Sequence, residues 1–82
     1  SFMSRFPGLS RAEFEAFLRA FTQPGTLVFR NNKWLGLNRN GKSYTVHVRH
    51  GGSRKYDASL VEVVAKDLGL SLQEFKDWYE KR

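Results

Sequence analysis

The stretch TLVFRNNKWLGLNRNGKSYTVHVRH, residues 26–50, decides the fold. Its hydrophobic period is two rather than 3.6, and β-branched and aromatic residues recur through it, which predicts strands over about 26–30, 33–39 and 42–50. Asn40-Gly41 is the preferred pair for a type I′ turn, because both central positions need positive φ, and Asn31-Asn32 is a weaker form of the same signal. Three strands joined by two tight turns make an antiparallel meander. With two-residue turns, Val28 faces Leu35, Leu35 faces Val46 and Leu37 faces Tyr44, so these residues and Val48 are expected on the side that helices cover. The other side then carries Phe29 opposite Trp34, Trp34 opposite His47, and beyond them Thr45, Asn38 and Arg49. A one-residue slip in the first hairpin would turn Phe29 and Trp34 inward.

Working outward, Ser10-Arg11-Ala12-Glu13 is a capping box, and Phe14, Phe17, Leu18 and Phe21 follow at helical spacing until Pro24-Gly25, predicting a helix over about 11–22. On the far side, Gly51-Gly52-Ser53-Arg54-Lys55 reads as a basic loop. Ser59 and Glu62 form a second capping box, with Asp57 as a competing cap, and Leu60, Val63, Val64 and Leu68 are the expected buried stripe before the Gly69 stop. Ser71 and Glu74 cap a last helix, about 72–80, with Phe75, Trp78 and Tyr79 on its apolar side. The order α-β-β-β-α-α predicts an α+β domain of two layers, a three-stranded antiparallel sheet with helices on one face.

At 82 residues the chain has room for one small domain, placed at 10–82. Ser1-Phe2, ahead of Met3, read as an expression remnant, and the rest of 1–9 as an N-terminal arm. The absence of cysteine excludes disulfides, thiolate metal sites and a cysteine nucleophile. There is no apolar run of membrane length and no signal-peptide pattern, so a cytoplasmic protein is the simpler reading. The net charge of +6 is unevenly spread. Between Ala16 and Tyr56 there is no acidic residue, while Arg19, Arg30, Lys33, Arg39, Lys42, Arg49, Arg54 and Lys55 are all cationic. That half of the chain is suited to an anion.

Rings on an open sheet face can stack on bases while flanking cations follow phosphates. Phe29, Trp34, His47 and Arg49, with Thr45, are therefore the expected RNA platform, and Arg30, Lys33, Arg39, Lys42, Arg54 and Lys55 the expected phosphate contacts. DNA is the alternative polyanion. A protein partner on the aromatic face, including a second copy of the chain, is the alternative of a different class. Of the two histidines, His47 falls on the expected open face and is the candidate base of a metal-free ribonuclease, whereas His50, three residues on, points away from it along a strand. The pair is therefore poorly placed to share a metal, and no metal or cofactor is expected.

The C-terminal half resembles the end of HicA-type toxins. The resemblance rests on Val46-His47-Val48-Arg49-His50-Gly51, then Ser59-Leu60, Val63-Val64-Ala65-Lys66-Asp67-Leu68-Gly69-Leu70-Ser71 and Glu74-Phe75, and it covers about 44–78. It implies a dsRBD-like fold, metal-independent cleavage of mRNA and a HicB-like antitoxin as partner. It also implies a Gly-Ser-His motif where the first strand turns into the second, carrying the catalytic histidine. Here that place reads Arg30-Asn31-Asn32-Lys33-Trp34, with no histidine. The resemblance therefore implies either that His47 has taken over the chemistry or that the fold binds RNA without cutting it.

Overall fold

The computed structural model describes residues 5–48 and 56–82. Helix α1 (Arg11–Phe21) is followed by strands β1 (Val28–Arg30), β2 (Lys33–Leu37) and β3 (Ser43–His47), and then by helices α2 (Ala58–Asp67) and α3 (Leu72–Lys81). The sheet is an antiparallel meander in the order β1-β2-β3, as expected. Helix α1 starts at the expected capping box, with the Glu13 amide donating to Ser10 Oγ and the Ser10 amide donating to the Glu13 carboxylate. Helix α3 starts at the corresponding Ser71–Glu74 box. The expected loop 51–55, and with it Arg49 and His50, lies outside the described residues.

The two hairpins differ. Between β1 and β2, Asn31 and Asn32 both have positive φ, 54° and 60°, and the partners are Val28 with Leu35, Phe29 with Trp34 and Arg30 with Lys33, as the two-residue turn requires. Between β2 and β3 the loop has three residues, Arg39, Asn40 and Gly41, and of these only Gly41 has positive φ, 80°. The Asn38 amide donates to the Lys42 carbonyl at 2.8 Å and the Gly41 amide to the Asn38 carbonyl at 3.0 Å, which is a type I turn closed by a left-handed glycine. Asn38 imposes this loop. Its buried side-chain oxygen accepts from the Asn40 and Lys42 amides, and its Nδ2 donates to the Asp67 carbonyl at the end of α2, at 2.7 Å.

That extra loop residue shifts β3 by one position and corrects the expected faces. Trp34 pairs with Val46 rather than His47, Leu35 with Thr45 rather than Val46, and Gly36 rather than Leu37 with Tyr44. Trp34, Gly36, Asn38, Tyr44, Val46 and Val48 form the covered side, and Trp34 has no exposed surface. Val28, Leu35 and Leu37 lie on the open side instead, with Ser43, Thr45 and His47. The expected open aromatic platform is therefore absent, because a shift of one residue exchanges the faces of a strand.

Aromatic side chains dominate the core, as a small domain with large rings permits. Phe14 stacks on Tyr56 with centroids 4.4 Å apart, and Trp34 lies 5.3 Å from Phe14 and 5.9 Å from Tyr56. Phe17 joins α1 to α3 through Phe75 at 5.1 Å and Trp78 at 5.4 Å. The segment before α1 belongs to this core and is more than an arm. Leu9 is fully buried and exchanges two backbone hydrogen bonds with Tyr56, and Phe6 packs edge-on against Phe75 and Tyr79. Pinning Tyr56 in this way starts α2 at Asp57, whose carboxylate accepts from the Leu60 amide, rather than at Ser59. The buried stripe becomes Val61, Val64, Ala65 and Leu68, and Val63, expected inside, is 57% exposed.

A second buried polar junction ties α1 to the sheet. The Thr22 hydroxyl donates to the Leu18 carbonyl, so the Tyr44 hydroxyl must donate to Thr22 Oγ1. Burial holds the Tyr44 phenol above its ordinary range. Gly36 makes room for the junction, since a Cβ there would fall 2.7 Å from Thr22 Cγ2.

Replacing Asn38 with alanine should lower unfolding free energy in urea by about 2–3 kcal/mol, because the Asp67 carbonyl and two turn amides lose their partner. A midpoint equal to that of the parent would show that the side chain does not set the loop.

Candidate nucleic-acid interface

The register builds the site. Arg30 is opposite Lys33, and Lys33 is opposite His47, so the three side chains form one row across β1, β2 and β3 on the open face, beside the Asn31-Asn32 turn. Cross-strand neighbours on one face lie about 5 Å apart at Cβ. Arg30 and His47 are exposed and Lys33 is half-buried. None of the three has an ion pair among the described residues, and no carboxylate occurs anywhere from Ala16 to Tyr56. Like charges directly opposite one another destabilise a sheet, so the Arg30–Lys33 pair is held against its own repulsion. The next row, Val28, Leu35 and Thr45, is apolar apart from one hydroxyl, and Leu37 with Ser43 completes the face.

The remaining expected contacts do not converge on this row. Arg39 lies at the opposite end of β2, where its guanidinium grips the Glu74 carboxylate through two bonds of 2.6 and 3.3 Å. That grip, together with the Ser71 amide, holds the Glu74 carboxyl below its ordinary range. Arg39 thus fastens the β2–β3 loop to α3 and is not a free cation. Lys42 is exposed at the same far end, beside a polar recess of about 400 Å³ lined by Asn40, Tyr44 and Lys66. Thr45 and His47 are on the open face as expected. Phe29 is 44% exposed but points to the helix side at the β1 margin, and Trp34 lies beneath it in the core. Arg49, Arg54 and Lys55 lie outside the described residues.

His47 is accompanied on its row by Lys33 and has Thr45 two residues before it on the same face. This places a proton-transfer group beside a cation, although no second acid or base from the described residues joins them. No group of three or more His, Cys, Asp or Glu side chains comes together among the described residues. No helix among them is long and apolar enough to cross a membrane.

A second feature escaped the sequence reading. Val63 and Leu72, 57% and 47% exposed, border a groove of about 250 Å³ between α2 and α3, floored by Val61, Leu70 and Phe75. The signal was the run Val61, Val64, Ala65 and Leu68, an apolar stripe at helical spacing that leaves Val63 outside it. Comparison of the chain with family models, with curated proteins and with solved structures finds no match.

The burial of Trp34 can be checked optically, because the chain has two tryptophans and Trp78 is half-buried. In Trp78→Phe the remaining emission should be blue-shifted and should resist acrylamide. Quenching as efficient as that of a free indole would restore the two-residue register in the second hairpin.

Proposed function

We propose that this is a small RNA-binding protein that holds the phosphate backbone on the open face of its sheet, through the row Arg30–Lys33–His47. The observation that carries the reading is the like-charge pair Arg30–Lys33, facing solvent with no acidic neighbour on the sheet. A polyanion relieves that repulsion and releases counterions in doing so. The row ends at His47, two residues before Arg49, so the chain continues from it into the basic stretch 49–55. RNA is preferred to DNA on the resemblance to HicA-type toxins, a resemblance supported by the element order of one helix, a three-stranded meander and a following helix. A HicB-like antitoxin is the protein partner that the same reading entails, and the apolar groove between α2 and α3, which shares no lining residue with the cationic row, gives it a surface.

A catalytic form of this reading rests on the pairing of His47 with Lys33. An imidazole can take the 2′-hydroxyl proton while the adjacent ammonium steadies the charge that develops on phosphorus. The departing oxygen then needs an acid that the described residues do not supply, so binding without efficient cleavage is the primary reading.

Lys33→Glu and Arg30→Glu should each weaken binding to a labelled RNA and lower the slope of log affinity against log salt by at least about 0.7, the contribution of one phosphate contact on a single strand. Equal slopes in parent and variants would remove the cationic row from the interface. If cleavage accompanies binding in metal-free buffer, His47→Ala should abolish it and leave the gel shift in place. Cleavage that persists in that variant would take the chemistry away from His47.

A further inference from the structure

Among the described residues the open face supplies cations, aliphatic groups and the His47 imidazole but no phenyl, phenol or indole ring, so a larger surface for base recognition has to come from elsewhere. The β1 margin provides it. β1 is an edge strand, and Phe29 projects from it toward the helix side, where the residue remains 44% exposed. Arg11, the first residue of α1, lays its guanidinium over that ring, 5.1 Å from the centroid, and 5.8 Å from the ring of Trp34 behind it. Trp34 backs Phe29 at 5.6 Å with the planes 59° apart, and its indole N–H donates to the Glu15 carboxylate at 3.2 Å. Glu15 also pairs with Arg19, at 3.8 Å, so the one carboxylate in the cluster is already shared. The ring is thus held from behind by a buried, hydrogen-bonded indole and topped by a planar cation.

The backbone at this point is also available. Arg30 and Lys33 flank a two-residue turn and so form a hydrogen-bonded pair. Alternation along the ladder then makes Phe29–Trp34 a non-bonded pair and turns the Phe29 N–H and C=O outward, away from β2. Arg30, the next residue, points to the open face. A strand of nucleic acid lying on the cationic row can therefore fold one base over the β1 margin onto the Arg11–Phe29 stack.

We infer that Phe29 and Arg11 form a stacking site for one unpaired nucleobase, with the outward backbone groups of Phe29 facing the base edge. Its ligand is single-stranded RNA whose phosphates occupy the Arg30–Lys33–His47 row, and in this it rests on the function proposed above. Guanidinium planes and aromatic rings both accept a base face, and they do so with little regard to its identity. A paired base, already stacked on both sides in a helix, cannot reach a ring at a sheet margin. The site therefore selects unpaired strands without selecting sequence.

An oligouridylate carrying a single 2-aminopurine tests the inference, with a duplex RNA as the second ligand. Binding of the parent protein should quench the 2-aminopurine emission. Phe29→Leu should abolish the quench and weaken single-strand binding about tenfold, while leaving the salt slope and the duplex affinity unchanged. Phe29→Tyr should keep both the quench and the affinity, and matching circular dichroism would establish that the leucine variant is folded. Parental affinity and quench in Phe29→Leu, with Arg30→Glu still lowering the salt slope, would overturn the stacking site and leave the RNA reading standing. No RNA binding by the parent, or a salt slope indifferent to Arg30 and Lys33, would overturn both.

Discussion

The side chain of Asn38 sets the identity of both sheet faces. It is buried, it saturates two amides of the β2–β3 loop, and it reaches the last carbonyl of α2. A three-residue loop follows from the first two bonds, and the loop length fixes the register of β3. Register in turn decides whether Trp34 or His47 meets water. Few other groups in the chain carry as much, because a strand has only two faces and a single position exchanges them. The bond to Asp67 then couples the hairpin to α2, so that sheet and helix layer are held in one arrangement.

Much of the architecture was legible in the sequence for local reasons. The two Ser–Glu capping boxes state where α1 and α3 begin, and Pro24-Gly25 and Gly69 state where α1 and α2 end. Asn31-Asn32 takes positive φ at both positions, so the first hairpin could be paired residue by residue. The second could not, because Asn40-Gly41 fits two loops: a two-residue turn with both residues left-handed, or a three-residue turn with the glycine alone left-handed. What separates them is the side chain of Asn38 and a helix carbonyl 29 residues further along. The start of α2 failed in the same way. Asp57 prevails over Ser59 because the preceding Tyr56 is tied to Leu9, a contact between segments distant in sequence.

The reversal of faces changes which of the expected site residues lie together. Arg30 and Lys33, which the two-residue register puts on the covered side with Val28, Leu35 and Val48, come to share the open side with Thr45 and His47, because the first hairpin keeps its pairing while β3 moves by one position. The aromatic part did not survive as a platform: Trp34 became core, and Phe29 was left at the margin under Arg11. Arg39 illustrates a different limit. Its charge was plain in the sequence, but its engagement by Glu74 depends on α3 folding back beside the loop. The absence of acid from Ala16 to Tyr56 means that any neutralisation has to come from outside the stretch, as it does for Arg19 from Glu15 and for Arg39 from Glu74.

The paired backbones of Leu9 and Tyr56 bring together residues that flank α1 and the whole meander. Everything between them is a closed circuit, so ordering that junction means sacrificing the conformational freedom of a long intervening chain. Proteins dominated by contacts so distant in sequence tend to fold slowly, because that freedom is lost before the contact rewards it. With Phe6 wedged against α3 next to it, this clasp ties the approach to α1, the approach to α2 and the face of α3 together at one place.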